Sequence, residues 1–119
     1  MSDFISLQSA IGMTTLYRKE KENILQATYQ NKNILAISET FDKNQIELLL
    51  SKPGCEKIRI NYGMDGELKI HAILVAVDVD NNDILPFIDH AKVTNSDDDI
   101  LENGVRCPPM CSPPSPLNP

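Results

Sequence analysis

The first twenty residues carry apolar side chains at helical spacing. Ser6 offers a hydroxyl for an N-cap, and apolar or small residues then recur every three or four positions, at Leu7, Ala10, Ile11, Thr14 and Tyr17. This spacing predicts an α-helix with one buried face. The charged residues 18–22 extend the helix by about one turn, and Asn31-Lys32-Asn33 predicts a turn after it.

A short apolar run and a second helix follow this turn. Residues 34–37 are all apolar, which is typical of a short strand buried on both faces. Asp42 and Gln45 have the spacing of a capping box and predict the start of a helix. Lys52-Pro53-Gly54 ends that helix, and its buried stripe consists of Ile46, Leu49 and Leu50.

Alternation of apolar and polar residues predicts a β-hairpin in the middle of the chain. The even-numbered positions are apolar in both strands, at Ile58, Ile60 and Tyr62 and then at Leu68, Ile70, Ala72, Leu74 and Ala76. Paired residues must share a face, so a two-residue Asp65-Gly66 turn would expose half of the apolar set. A three-residue loop, Met64-Asp65-Gly66, keeps the faces matched and pairs Ile60 with Ile70 and Arg59 with His71. Odd positions from Ile73 to Val77 are apolar too, which predicts a central strand.

These elements predict an α+β fold with a small antiparallel or mixed sheet, built on the central hairpin, and two helices packed on one face. We expect a single α+β domain over residues 1–104 and a proline- and cysteine-rich tail, flexible or docked, over residues 105–119. The predicted core consists of Ile37, Leu49, Leu50, Ile58, Ile60, Ile70 and Leu74.

Composition and charge narrow the class of protein. The chain has 119 residues and a net charge of -6, and its acidic excess lies in the last third. Because nucleic-acid affinity rests on Lys and Arg, we expect no nucleic-acid partner. The longest apolar stretch, residues 72–77, is far shorter than a membrane span, and no signal segment is visible. With three cysteines, an odd number, these features predict a soluble cytoplasmic protein.

Acidic residues alternate along Asp78-Val79-Asp80-Asn81-Asn82-Asp83, as ligands of calcium do in an EF-hand, and Asp89 falls at the twelfth position. However, Asp83 occupies the position that requires glycine, and Pro86 falls at the ninth. We therefore favour a polar turn after the strand.

The two tail cysteines are the strongest candidates for chemistry. Cys107 and Cys111 flank Pro108-Pro109-Met110, and in an extended polyproline conformation their Cα atoms would lie roughly 12 Å apart, too far for a disulfide. We favour unpaired thiols on a docked or flexible tail. A turn would permit a disulfide or redox pair, and a zinc site remains an alternative. The remaining zinc ligands could come from Cys55, His71 or His90, but only if the fold happens to bring these residues, which are distant in sequence, close to the tail.

His71, flanked by Glu67 and Lys69, is the other candidate, for acid–base chemistry. Its face of the sheet is predicted to be solvated, and no nucleophile or glycine-rich phosphate loop accompanies it. We assign no catalytic residue and no cofactor, and we do not expect an enzyme.

Four segments resemble a family of small uncharacterised bacterial proteins: PGCEKIRINYGMDGE, HAILVAVDVDNNDIL, ILENGVRCP and CPPMCSPPSPLN. They cover about half of the chain. The resemblance implies a shared order of elements and a tail that matters for function, and it implies no catalytic residue.

The function predicted from the sequence is a non-enzymatic binding or adaptor module whose proline-rich tail contacts a protein partner, since stiff polyproline segments lose little entropy on docking. The alternative is a thiol-based metal-binding or redox protein that uses Cys107 and Cys111. The residues expected to contact the partner are Cys107, Pro108, Pro109, Met110, Cys111, Pro113, Pro114 and Leu117.

Overall fold

The computed structural model describes residues 3–85, 100–102 and 104–119. The chain divides into two compact units, which are described separately. The first unit joins the N-terminal residues up to Ser38 with Arg106–Pro119, and the second contains Glu39–Val105. The predicted boundary between residues 104 and 105 stays a prediction.

The first unit contains one long helix, α1, over Leu7–Glu20. The Ser6 hydroxyl accepts a hydrogen bond from Ser9 N at 3.1 Å, which confirms the predicted N-cap. A 3₁₀ helix follows over Ala27–Tyr29. Residues 34–37 are not a strand, as predicted, although Ile34 is buried. The strand begins only at Ser38, because both Asn31 and Asn33 have positive φ and turn the chain before it can run straight.

The remaining elements form an α+β arrangement, as predicted. They are β1 (Ser38–Thr40), α2 (Lys43–Leu50), β2 (Lys57–Met64), β3 (Ile70–Val77), β4 (Ile100–Leu101) and β5 (Val105–Cys107). β2, β3 and β4 form an antiparallel sheet with β3 in the centre, and β1 pairs with β5. α2 contacts all three strands of the larger sheet. That α1 packs on the same face stays a prediction.

The hairpin register differs from the predicted one. Ile60 pairs with Leu74 and not with Ile70, and the strands end at Met64 and Ile70. The loop is still of the three-residue class, but it begins two residues later: Asp65 N donates to Lys69 O at 3.0 Å, and the left-handed residue is Leu68, not Gly66. Even-numbered residues of the two strands still face one another, as predicted. The pairing itself is shifted, because each residue of β2 faces a β3 residue four positions further along the chain than predicted.

The core is smaller than predicted. In the second unit the buried apolar residues are Leu49 and the last four residues of β3, Leu74, Val75, Ala76 and Val77. Leu50 and Ile60 are each 51% exposed and do not belong to it. Ile37, Ile58 and Ile70 are half-buried. Asp42 is the N-cap of α2, but its side chain makes no capping hydrogen bond, so the capping box is wrong.

Within the described ranges, no helix combines the length and the apolar character that crossing a lipid bilayer requires.

Candidate functional site

The two tail cysteines form a disulfide. The Cα atoms of Cys107 and Cys111 lie 4.6 Å apart, because the chain reverses between them and Met110 N donates to Arg106 O at 3.0 Å. The prediction of unpaired thiols is therefore wrong, and the disulfide that was left as an alternative is present. An extended polyproline segment could not have brought these atoms together.

The two sulfur-bearing residues differ sharply in exposure. Cys107 is fully buried, with 0% of its surface accessible, whereas Cys111 is exposed. Cys107 O accepts a hydrogen bond from Ile37 N at 2.7 Å, and Asn118 Nδ2 lies 3.9 Å from Cys107 Sγ. Cys107 is therefore part of the core of the first unit, although it was not among the predicted core residues.

Arg106 fastens the start of the tail to the N-terminal part of the same unit. Its Nη2 donates to the backbone carbonyls of Asn33 and Ile34, at 2.8 and 3.0 Å. The Ile34 carbonyl belongs to the segment that was predicted to be a strand, and Asn33 to the turn predicted before it. The Arg106 guanidinium, 72 residues after Ile34, therefore satisfies an acceptor at the start of that segment. Sequence pattern alone offered no signal for this contact.

The end of the tail is fastened as well. Ser115 and Asn118 exchange backbone hydrogen bonds of 3.1 and 3.0 Å, which closes a tight turn. The guanidinium of Arg18, on α1, donates to Leu117 O. The tail is therefore held at both ends, by Arg106 and Cys107 at its start and by Leu117 and Asn118 near its end.

Tyr17 of α1 supports the same region. Its hydroxyl donates to Ala36 O, one residue before the backbone N–H that binds Cys107. Burial raises the pKa of Tyr17, and the nearby charge of Arg106 opposes this only in part. The phenol therefore remains a hydrogen-bond donor at neutral pH.

Between these two anchors the tail presents an uncharged loop to solvent. Pro108 is half-buried. The other predicted contact residues are exposed, namely Pro109, Met110, Cys111, Pro113, Pro114 and Leu117. We call residues 109–114 the tail loop. The structure thus brings five of the predicted tail residues together on the tail loop, whereas Pro108 and Leu117 lie just outside it and Cys107 is buried in the core.

A zinc site built on the tail is disfavoured. With both sulfurs in a disulfide, neither is a thiolate able to bind metal. Cys55 is a free, half-buried thiol of the second unit, and its Sγ lies 3.4 Å from Lys57 O. His90 lies outside the described residues. Among the residues that are described, no group of three or more His, Cys, Asp or Glu side chains is arranged to hold a metal ion.

The acidic loop is a hydrogen-bonded turn. Asp78 Oδ1 accepts hydrogen bonds from Asp80 N and Asn82 N, both at 2.9 Å. Asp83 forms an ion pair with Arg59, whose Nη2 also donates to Asn81 Oδ1 at 2.6 Å. Both carboxylates already have partners, Asp78 within the turn and Asp83 on β2, so the predicted polar turn is confirmed and the calcium interpretation is disfavoured. Asp89 lies outside the described residues.

His71 has a partner that the sequence analysis missed. Its Nε2 lies 2.7 Å from Asp65 Oδ2, and the predicted opposition to Arg59 is wrong because Gly63 faces it. The side chain is largely buried, contrary to prediction. The hydrogen bond from His71 lowers the pKa of Asp65 to about 2. Asp65 Oδ1 also accepts from Glu67 N and Lys69 N, so the pair fixes the hairpin loop.

Comparison of the chain with protein-family models, with curated proteins and with solved structures finds no match. The resemblance to a bacterial family stays a prediction.

Proposed function

We propose that the protein is a binding or adaptor module whose tail loop contacts a protein partner. One observation carries the proposal: an uncharged loop with an exposed methionine and three exposed prolines is fastened to the first unit at both ends. An apolar, charge-free segment gains free energy when a partner removes it from water.

The fastening favours binding in a second way. A loop that is already held by a disulfide and by guanidinium contacts loses little conformational entropy on docking, so more of its contact energy appears as affinity. Met110 suits such a contact because its side chain is flexible and polarisable and adapts to an apolar pocket.

Two matched variants test this function. Met110 and Met13 are each 66% exposed, but Met110 lies on the tail loop and Met13 on α1. Met110→Asp should abolish capture of a specific protein from the native host, while Met13→Asp, with the same added charge, should leave capture unchanged. Quantitative mass spectrometry of both captures provides the measurement. Equal capture by the two variants would contradict the proposal.

Thiol–disulfide exchange is a second candidate, favoured by the exposure of Cys111 beside a buried Cys107. A partner thiolate would attack Cys111 Sγ and form a mixed disulfide, and the electron pair of the broken bond would leave on Cys107 Sγ as a thiolate. A second thiolate of the partner would then attack the partner's sulfur in the mixed disulfide. A disulfide forms within the partner, and Cys111 leaves as a thiolate, which completes the reduction of the protein.

The matched cysteine variants separate the two candidates. Cys107→Ser leaves the exposed Cys111 as a thiol, whose thiolate attacks the disulfide of the oxidised partner in the reverse of this exchange, and the partner's second sulfur leaves as a thiolate. The mixed disulfide should accumulate, because Cys107 is no longer present to resolve it. Cys111→Ser leaves only the buried Cys107 and should retain few. If neither variant accumulates mixed disulfides while Met110→Asp still loses the partner, exchange is excluded and the binding function stands.

We further propose that the protein acts in the bacterial cytoplasm. The acidic composition and the resemblance to a family of bacterial proteins support this proposal. Because disulfides in that compartment are usually transient, the shape of the tail loop would then depend on the redox state of its cysteines.

A further inference from the structure

β2 is a long edge strand whose only charged residues, Lys57 and Arg59, lie in its first half, and the rest of the strand has none of the features that usually protect such an edge. It has eight residues and, within the described ranges, pairs only with β3. Natural edge strands are commonly kept short or carry proline, a bulge or an inward-pointing charge. β2 contains no proline, its register with β3 is unbroken, and its two charged residues, Lys57 and Arg59, share one face.

The free backbone groups of this edge belong to the even-numbered residues. Asp65 N donates to Lys69 O, which continues the β2–β3 ladder by one hydrogen-bonded pair. Because such pairs alternate in an antiparallel ladder, the backbone N–H and C=O groups of the odd-numbered β2 residues bond to β3. Those of the even-numbered residues point away from β3. Hydrogen bonds of β3 support the same alternation. Ala72 N donates to Glu39 Oε1 and Ala76 O accepts from Ile84 N, so the backbone groups of these even-numbered residues are directed away from β2. Among the described residues, no backbone hydrogen bond reaches the outward groups of Ile58, Ile60, Tyr62 and Met64.

Three of these four residues expose their side chains on one face, and Ile58 is half-buried. Tyr62 is 80% exposed, Met64 61% and Ile60 51%. An apolar row that lies beside a row of unpaired N–H and C=O groups is the arrangement to which a further β-strand adds.

We propose that β2 pairs antiparallel with β2 of a second copy of this chain, with Asn61 facing Asn61 of the other copy on a two-fold axis. This register lets the outward groups of all four even-numbered residues bond across the interface. The two sheets then join into one continuous sheet. The interface is isologous, because both copies contribute β2, so association stops at the dimer.

The strand is complementary to itself in this register. Ile60 faces Tyr62 of the second copy, and Ile58 faces Met64, so apolar side chains meet on the exposed face. On the other face Lys57 lies opposite Asp65 of the second copy, which pairs opposite charges. In the alternative register with Ile60 facing Ile60 of the second copy, Lys57 would lie opposite Gly63. The two symmetry-related pairs of Lys57 with Asp65 would then be lost. Charge complementarity therefore favours a second copy as the partner. A register with Tyr62 facing itself would also pair opposite charges, Arg59 with Asp65, but it would place Ile58 opposite Gly66, outside the strand; the bonding of all four even-numbered residues therefore selects the register with Asn61 on the axis.

Single cysteines test the axis directly, in the full-length protein with Cys55→Ser to remove the free thiol. Asn61→Cys would place two cysteines in a non-hydrogen-bonded pair with Cα atoms about 4.5 Å apart, within disulfide range. In Ile60→Cys or Tyr62→Cys the two cysteines would be diagonal, about 7–8 Å apart and out of range. We expect Asn61→Cys to form covalent dimers at least tenfold faster than either control. Faster cross-linking of a control would overturn the register.

Sedimentation equilibrium tests the association itself. The wild-type chain should form dimers, and Lys57→Glu, which replaces two attractive charge pairs with two repulsive ones, should raise the dimer dissociation constant about tenfold. Lys57→Arg keeps the charge and should leave the constant unchanged. A wild-type chain that remains monomeric at millimolar concentration, or a dimer indifferent to Lys57→Glu, would overturn the proposal.

Discussion

Asp65 and Asp78 stand at opposite ends of β3 and bind their loops in the same way. Each Oδ1 accepts hydrogen bonds from the backbone N–H groups two and four residues further on, at 2.8 and 3.1 Å for Asp65 and at 2.9 Å twice for Asp78. In each loop the third residue after the aspartate has a positive φ, 67° at Leu68 and 71° at Asn81. The central strand is therefore entered and left through two copies of one turn.

The shared turn makes the carboxylate oxygen of Asp78 the critical atom of its loop. Asp78→Ala removes the acceptor of two backbone N–H groups and should lower the free energy of unfolding by about 1–2 kcal/mol. Asp78→Asn keeps an acceptor oxygen at the same position and should cost less than half as much. Urea denaturation of both variants gives the comparison, and equal losses would show that charge, and not the acceptor, matters there.

The hydrogen bond between His71 and Asp65 predicts a pH dependence. It lowers the pKa of Asp65 from 3.8 to about 2, so the ionised carboxylate favours the folded state at any pH above 3.8. This contribution is lost as the pH falls through about 2. In His71→Ala the pKa of Asp65, followed by NMR of its carboxyl carbon, should rise toward 3.8. An unchanged titration would show that the loop N–H groups, and not His71, lower this pKa.

The hairpin shows how far the pattern of residues could lead. Alternation specifies which positions share a face, and the structure keeps the even-numbered faces matched. Alternation does not specify which residues pair, because a loop that begins two residues later still places even-numbered residues opposite even-numbered residues. Turn chemistry decides the offset: Asp65 supplies the acceptor that closes the loop, and it brings His71 within reach. Reading Asp65 as an Asx-type turn residue would have located both features.

The first unit was less accessible to such analysis. Residues 34–37 carry a pattern typical of a buried strand, and burial of Ile34 is observed. Their hydrogen-bond partners, however, include Arg106 and Cys107, which lie some seventy residues further along the chain, and Tyr17 of the preceding helix. The turn that joins Cys107 to Cys111 is likewise held by contacts with that distant segment. Local spacing contains no information about either.

The corrected core predicts a contrast between two residues that the sequence placed together. Leu74 is buried, and Leu74→Ala should cost about 2–5 kcal/mol through lost burial and a cavity. Ile60 faces it across the hairpin but is half exposed, so Ile60→Ala should cost about 1 kcal/mol or less. Thermal and urea denaturation of the pair provide the test, and similar losses would mean that Ile60 belongs to the core after all.

Gly104 is required by close packing within the second unit. A Cβ at this position would lie 2.6 Å from Glu39 Oε2 and 2.7 Å from Phe41 Cζ. Gly104→Ala should therefore destabilise the protein by about 1–3 kcal/mol, as overpacking does. Gly66 is the control, since a Cβ there meets nothing within 4 Å and its φ is not positive. Gly66→Ala should change the melting temperature little, and an equal effect of both substitutions would argue against the packing explanation.

The unequal burial of the two tail cysteines gives the last prediction. Loss of the Cys107–Cys111 disulfide releases a five-residue loop, which should cost about 2 kcal/mol by chain entropy. Cys111→Ser, at an exposed position, should cost this much and no more.

Cys107→Ser removes the same disulfide and also places a hydroxyl at a fully buried position, which should add about 1–3 kcal/mol. Denaturation with and without a reductant separates the two effects: the reductant should destabilise the wild-type chain to the level of Cys111→Ser and leave both variants unchanged. If the two variants are equally stable, Cys107 is not part of the core and the tail is fastened by Arg106 and Leu117 alone. If Cys107→Ser is the less stable, the buried sulfur itself holds the tail loop in place, and the loop stays anchored when its disulfide is reduced.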